Sequence, residues 1–297
     1  MANLKDISRQ IKSVKGTAKT TKAMKLVSSA KLRRTQVLAE AAKAYSTKIN
    51  EVLNEIATKV SAIHGDNEDL SRAFKTIKNV KTVDLVFVTA DKGLCGGFNM
   101  ATIKAVRNLR DEYINKGVEV RLRAVGRKGI DYFNFQEIEL LNKELGLSSA
   151  PTYEKASEFI TKVYEDFNSE KTDKVILIHN GFVNMLSQEL RTNTLLPISI
   201  DEHTDTNSSS STMDIEPEDN EEEILDGLAS KFVEFNMYYS LVDSLSAEHS
   251  ARMQAMDAAT KNANEKVDSL TVEFNKARQA AITTELIEII SGVESMK

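Results

Sequence analysis

Residues 242–297 read VDSLSAEHSARMQAMDAATKNANEKVDSLTVEFNKARQAAITTELIEIISGVESMK. The stretch contains no proline, and its single glycine, Gly292, lies near the end, where helices often terminate. Mostly small and apolar residues recur at alternating spacings of three and four, with one extra step of four after Ala263. This spacing is that of a heptad repeat with a stutter. The repeat comprises Val242, Leu245, His249, Arg252, Met256, Ala259, Ala263, Val267, Leu270, Phe274, Ala277 and Ala281. The pattern predicts one long helix, which needs a partner helix to cover its narrow apolar stripe.

The first part of the chain carries the same alternation from Leu4 to Ile63, again without proline. An alternation sustained over more than four heptads is typical of a coiled coil. The middle of this seam is made of small residues, such as Ala18 and Ser28, so that two helices could approach closely there. We infer an antiparallel pair of terminal helices with the rest of the chain inserted between them. Two separate homodimeric coiled coils are the alternative, but they would require two interfaces where one suffices.

The middle of the chain alternates between predicted strands and helices. Apolar, β-branched runs predict buried strands at 83–89, 119–125 and 174–179, and residues 182–200 alternate like one arm of a hairpin. Helical patterns lie between them, near 100–116, 126–133 and 153–167. This order predicts an α/β domain with a mostly parallel sheet. The expected divisions are a helix over 1–65, the α/β domain over 75–200, an acidic loop over 201–220 and a helix over 221–297.

Charge is distributed unevenly along the chain. The net charge is −5, yet residues 1–48 carry 12 Lys and Arg against two acidic residues. Such a helix is either a solvated flank of the coiled coil or a surface for an acidic partner: nucleic acid, anionic lipid or acidic protein loops. No apolar run reaches the length of about 20 residues that a membrane span requires. The single cysteine, Cys95, excludes an intramolecular disulfide and fits a reducing, cytoplasmic setting.

Residues that could form a catalytic or ligand site are few. Gly93, Gly96 and Gly97 follow a predicted strand, but neither common nucleotide-binding glycine pattern is present, so a tight turn is the better interpretation. Cys95 has no histidine near it in sequence and is expected to be a small buried residue. The histidines share no metal-ligand spacing. We therefore expect no catalytic residue, no metal and no cofactor, which argues against a small α/β enzyme.

Two polar residues interrupt the apolar seam of the last helix. His249 and Arg252 occupy positions of the repeat that apolar residues usually fill. They could form a polar layer that fixes the helix register, or they could contact a partner, and the sequence favours neither interpretation.

Five motifs, in order along nearly the whole chain, resemble the γ subunits of F-type ATP synthases. They are ISRQIKSVKGTAKTTKAMKLVSSAKLR (7–33), TADKGLCGGFN (89–99), VGRKGIDYF (125–133), ARMQAMDAAT (251–260) and NKARQAAITTELIEIISG (275–292). The resemblance implies a Rossmann-like inserted domain and a non-catalytic rotor shaft. Its implied partners are a hexamer of α and β subunits around the coiled coil, with the ε subunit and the c-ring at the foot. Membrane contact would be through the c-ring alone, at the cytoplasmic face of the bacterial inner membrane.

The resemblance also implies which residues touch those partners. Lys15, Lys19, Lys22 and Met24 correspond to the band that meets acidic loops of the β subunits. Arg252, Gln279 and Thr283 match positions that hydrogen-bond to the β subunits, and Ile282, Leu286, Ile289 and Ile290 match an apolar tip in a hydrophobic sleeve. Glu216, next to Pro217, matches a contact near the c-ring, although Ile215 stands where the family usually has an aromatic residue. The single Cys95 excludes the regulatory dithiol of chloroplast relatives.

A nucleic-acid-binding coiled coil is the main alternative function. Its basic helix would have to act alone, because the rest of the chain is acidic and repels phosphates. Tyr45 is the only aromatic residue before Phe74, whereas single-strand binders interleave aromatic and basic residues for base stacking. We therefore expect no nucleic acid among the partners.

Overall fold

The computed structural model describes residues 4–64, 71–75, 77, 79–198 and 221–295. Two long helices, α1 and α5, begin and end this part of the chain, and an α/β segment lies between them. The helices are α1 (Leu4–His64), α2 (Phe98–Asn115), α3 (Arg127–Phe135), α4 (Tyr153–Asn168) and α5 (Glu221–Glu294). The strands are β1 (Thr82–Val88), β2 (Glu119–Val125), β3 (Asn142–Glu144), β4 (Lys174–Phe182) and β5 (Gln188–Leu196). The predicted acidic loop 201–220, with Glu216, lies outside the described residues.

The chain groups into two compact units. The first contains Met1–Ala30 and Arg252–Lys297, and the second contains Lys31–Ala251. Each unit therefore holds a part of both long helices.

In the first unit, the two helical segments pair in opposite directions. The hydroxyls of Thr21 and Thr260 are 2.7 Å apart, and Lys25 Nζ lies 2.6 Å from Asp257 Oδ1. Residue numbers that rise along α1 therefore meet falling numbers along α5, which is the predicted antiparallel arrangement. The seam side chains on both segments are buried or half-buried.

The second unit is built on a five-stranded sheet in the order β3-β2-β1-β4-β5. The pairs β1–β2, β1–β4 and β2–β3 are parallel, and β5 runs antiparallel to β4. This is the strand order of a Rossmann-like half with an added antiparallel edge. The predicted fold class is confirmed, and so is the hairpin arm. The sequence did not predict β3, which is only three residues long and has no apolar alternation.

Both faces of the sheet are covered. On one face, Leu85, Phe87 and Ile178 pack with residues of α2 and α3, including Val106 and Phe133. The opposite face joins strands β1, β4 and β5 to α4, α5 and α1 through a second cluster. That cluster includes Val86, Val88, Leu177, Phe159, Ile160, Val233, Met237 and Leu53. Burial on both faces explains why β1 and β4 are nearly continuous apolar runs.

In the second unit, α1 and α5 also run antiparallel. Ser46 Oγ donates to Asn236 Oδ1 at 3.1 Å, and the rings of Tyr45 and Phe235 lie 4.3 Å apart. Leu53, further along α1, shares a cluster with Leu225, which is earlier on α5. The aromatic contact continues into the α/β segment, because Tyr153 of α4 stacks on Phe235 at 4.5 Å.

Candidate functional site

The exposed basic face of α1 lies in the first unit. Lys15, Lys19 and Lys22 are all exposed, and their spacing of four and three residues places them on one side of the helix. Met24 is half-buried. Lys25, three residues after Lys22, is paired with Asp257 within the chain. The charge available to a partner on this face is therefore that of the lysines on the outer side.

Two polar positions of the α5 seam are covered by the chain itself. His249 and Arg252 are each only 7% exposed. Most of the Arg252 side chain is therefore already buried before any partner binds. This position suits a polar layer of the seam, and any contact of Arg252 with a partner would involve only its exposed edge.

The last turns of α5 carry an exposed apolar surface. The predicted tip residues Ile282, Leu286, Ile289 and Ile290 are between 49% and 64% exposed. Gln279 and Thr283 are also exposed, and the Thr283 hydroxyl donates to the Gln279 carbonyl at 2.9 Å. Ile287 and Val293 are also apolar and exposed on these turns, although they were not among the predicted tip residues. The sequence alone could have indicated their exposure, because both are apolar residues that follow the end of the heptad seam at Ala281.

The register of the helix pair explains this exposure. Thr21 lies beside Thr260 and Lys25 beside Asp257, and continuing that register brings Leu4 close to Ala277. The tip residues of α5 follow Ala277, so no described residue of α1 lies opposite them. An exposed apolar surface of this kind commonly marks a protein–protein contact.

At the carboxyl edge of the sheet, a carboxylate of the chain itself caps the start of α3. Asp91 accepts hydrogen bonds from the backbone N–H of Arg127 at 3.0 Å, at the start of α3, and from Ser149 Oγ at 2.7 Å. Burial raises the pKa of Asp91, but these bonds and those of Ser148 and Gly146 outweigh burial, and the pKa is lowered overall. A carboxylate of the protein thus satisfies donors that could otherwise face an anion.

The glycine-rich turn after β1 is held in place by hydrogen bonds of Asn99. Cys95 is buried, and Asn99 Nδ2 donates to its sulfur at 3.2 Å. The Asn99 side chain also accepts from the backbone N–H of Ala90 at 2.8 Å, which closes the turn.

Over the described ranges, no three His, Cys, Asp or Glu side chains are grouped so that they could hold a metal ion. None of the helices described has the length and apolar character needed to cross a bilayer.

Comparison with known proteins identifies the family. The family model described as ATP synthase matches residues 3–296. The ATP synthase gamma chain of Aliarcobacter butzleri is 62% identical over 297 residues and that of Campylobacter concisus is 58% identical over 299 residues, with both chains covered completely in each case.

Solved structures show the same fold. A chain of the rotor of the Euglena gracilis mitochondrial ATP synthase aligns with a TM-score of 0.61 at 16% identity, covering 94% of this chain and 98% of that one. A chain of the central stalk and c-ring structure of the Tetrahymena thermophila enzyme aligns with a TM-score of 0.59 at 23% identity, covering 81% and 99%. From its sequence relatives and family model, this chain belongs to the family of γ chains of the F-type ATP synthases.

Proposed function

We propose that this chain is the central rotor shaft of an F-type ATP synthase. It couples proton-driven rotation of the c-ring to ATP synthesis or hydrolysis at the β subunits, and it contributes no catalytic residue itself. The observation that carries this proposal is the first unit: an antiparallel helix pair with a basic outer face and an apolar end that no described residue covers. Such a pair can be held by surrounding subunits along its side and at its tip.

The basic face supplies the lateral contact in this proposal. Exposed Lys15, Lys19 and Lys22 meet acidic loops of the β subunits, with Met24 beside them. Individual exposed ion pairs contribute about 0–1 kcal/mol, so these contacts act as a set and no single lysine dominates. Arg252, Gln279 and Thr283 add hydrogen bonds to the β subunits further along the shaft.

The apolar tip supplies the bearing. Ile282, Leu286, Ile289 and Ile290 turn within a hydrophobic sleeve formed by the α and β subunits. Apolar contact suits a bearing because it is non-directional, so rotation replaces one set of contacts with an equivalent one. Ile287 and Val293, which are exposed on the same turns, belong to this tip.

The remaining partners are the ε subunit and the c-ring, which meet the foot of the shaft. Glu216, outside the described residues, is the proposed point near the c-ring. The protein is then peripheral to the cytoplasmic face of the bacterial inner membrane, and it contacts the membrane only through the ring. Nucleic acid is not among its partners.

A charge-reversal experiment tests this function. Lys15, Lys19 and Lys22 are changed together to Glu, and the variant is assembled with the other subunits of the enzyme. Attraction to acidic loops becomes repulsion, so copurification with α and β subunits or ATP-driven proton pumping should weaken, most strongly at low ionic strength where screening is least. Each single Lys→Ala change should have little effect.

The matched control changes Lys104, Lys155 and Lys162 to Glu. These lysines are also exposed, so the net charge changes equally while the face of α1 stays intact. The control should assemble and pump like the unmodified protein. If the reversal on α1 also assembles and pumps normally at low salt, the basic face is only solvated and the proposed lateral contact is wrong.

A further inference from the structure

The sheet of the second unit has a topological switch point between β1 and β4. From β1 the chain continues to β2 on one side, and β4 is added on the other side after α4. In open parallel sheets, the crevice at the carboxyl ends of two such strands is where a ligand usually binds. Here the crevice holds part of α5. Ala247 and Ala251 pack against Ala90, Cys95 and Phe98 from the turn after β1 and the start of α2.

A buried carboxylate of α5 makes the polar contacts at this place. Asp243 Oδ1 accepts from the backbone N–H of Phe182 at 3.1 Å, at the end of β4. Its Oδ2 accepts from Arg191 Nη1 at 2.7 Å and lies 3.2 Å from His179 Nε2. One side chain of α5 is therefore tied to both strands of the β4–β5 hairpin. Asp243 is almost completely buried, so these partners compensate for the loss of its contacts with water.

Two further features fit the same contact. A Cβ at Gly181 would lie 2.4 Å from Arg191 Nε and 2.7 Å from Asp243 Oδ2, so only glycine leaves room for Arg191 to reach Asp243. Two turns along α5, Ser250 Oγ donates to the Met185 carbonyl at 3.1 Å and accepts from Gln188 Nε2 at 3.1 Å. The loop between β4 and β5 is thus held to α5 as well.

We propose that the switch-point crevice is a clamp on α5, and that Asp243 is the positioning residue that prevents the helix from turning or sliding against the sheet. Alanines packed on apolar side chains give non-directional contact, along which a helix can shift. Bonds from Phe182, Arg191 and His179 to a single carboxylate fix both the height and the rotation of α5. The inference rests on the proposed rotor function, in which torque on α5 would otherwise turn the helix against the sheet.

The experiment changes Asp243→Asn and Asp243→Ala in the full chain, assembled into the complete enzyme. Hydrogen exchange at the Phe182 amide reports on the clamp itself, and we expect exchange on the order of tenfold faster or more in Asp243→Ala, since a hydrogen bond to a charged group is lost. The functional measurement is ATP-driven proton pumping relative to ATP hydrolysis in the same vesicles. A helix that slips should lower pumping per ATP hydrolysed, more in the Ala variant than in the Asn variant, which retains one of the two acceptor oxygens.

The matched control is Glu189→Gln, which removes an exposed carboxylate 3.9 Å from Arg191 Nε on the same strand. It should leave both the exchange rate and the pumping ratio unchanged. Arg191→Met provides a second way to weaken the clamp if Asp243→Ala does not fold, and it should lower the same ratio.

The outcomes separate this inference from the rotor function. If exchange at Phe182 accelerates while pumping per ATP stays at the unmodified value, Asp243 is a structural contact only and the clamp is refuted. Unchanged exchange at Phe182 also refutes it. The rotor function is judged independently, because its failure would appear as an unmodified chain that does not copurify with α and β subunits.

Discussion

At the scale of single residues, Arg123 is an almost completely buried charge of the second unit, with 1% of its surface exposed. Its guanidinium donates to Asp84 Oδ2 at 2.6 Å, to Asn142 Oδ1 at 2.8 Å and to Asp166 Oδ2. Arg123 thereby joins β1, β2, β3 and α4 at one point. A buried charge with all its partners is tolerated, whereas removing one partner leaves an uncompensated charge.

The first prediction concerns acid stability and Asp166. Burial raises the pKa of Asp166, but hydrogen bonds and charge from Arg123 and Lys171 outweigh burial and lower the pKa below its ordinary value of 3.8. The folded state therefore keeps this carboxylate ionised at pH values where the unfolded chain binds a proton. The stabilisation is complete above the unfolded pKa and is lost as the pH falls through the lower, folded pKa.

Asp166→Asn should accordingly do two things. At pH 7 it should lower the free energy of unfolding by about 1.5–3 kcal/mol, because a charged hydrogen-bond partner of Arg123 is lost. Below about pH 5 the variant should lose stability less steeply than the unmodified chain, since one titrating group has been removed. Urea titrations from pH 7 to pH 3 measure both effects. A parallel pH dependence of the two proteins would show that Asp166 does not contribute.

This network could not be predicted from the sequence. Asp84 stands within an apolar strand, and Arg121 and Arg123 alternate with Leu122 and Ala124 as they would in a strand with one solvated face. Their partner Asp166 comes from a helix far along the chain. Periodicity reports which face a residue occupies, but it cannot say which distant charge will share that face.

At the scale of elements, the long helices were the most predictable part. Every seam position of α1 from Leu4 to Leu53 is buried or half-buried, including the small polar residues Thr21, Ser28 and Thr35. This agreement follows from the repeat itself, which is local and is sustained over many turns.

The approach of α3 to β1 was not predictable in the same way, because it depends on two glycines and on a contact between elements. Gly126 has a φ of +97° and precedes α3, and Gly129 lies inside it.

The second prediction compares two helical glycines. A Cβ at Gly129 would lie 2.7 Å from the Phe87 ring and 2.9 Å from Thr89 Oγ1, whereas nothing lies within 4 Å of one at Gly227 in α5. Gly129→Ala should therefore destabilise the chain by about 1–3 kcal/mol through overpacking. Gly227→Ala should stabilise it by about 0.5–1 kcal/mol, because alanine favours the helix. Thermal and urea unfolding of both variants give the signs, and a stabilising Gly129→Ala would contradict the close packing of α3 on β1.

At the scale of the whole molecule, the sequence predicted that both ends of the chain form helices that pair. Periodicity alone did not give the register between the two helices. The family resemblance assigned Ile282, Leu286 and Ile289 to an apolar tip, and the register between the helices shows that these residues extend past the start of α1. The register depends on the insertion between the helices as well as on the repeats. The heptad pattern of each helix alone therefore does not determine which residues of the two helices lie side by side.

The last prediction tests the antiparallel pairing within one chain. In a Cys95→Ser background, Thr21→Cys with Thr260→Cys should form a disulfide under mild oxidation, because the two hydroxyl oxygens are only 2.7 Å apart. The product should be a crosslinked monomer on a non-reducing gel. Thr21→Cys with Thr284→Cys is the control, since Thr284 is exposed beyond the end of the pairing and should remain reduced at low protein concentration.

A second pair extends the test to the other unit. Ser46→Cys with Asn236→Cys should also crosslink within the chain, because these side chains are in hydrogen-bond contact. Residues 21 and 46 of α1 would then be joined to residues 260 and 236 of α5, an order that only antiparallel helices allow. Parallel homodimeric coiled coils would pair α1 with α1 and α5 with α5 of a second copy. The introduced cysteines would then form crosslinks between two copies, and no crosslink would form between α1 and α5 of the same copy. Dimers as the sole oxidation product would therefore overturn the architecture from which the basic face, the apolar tip and the clamp on α5 are all derived.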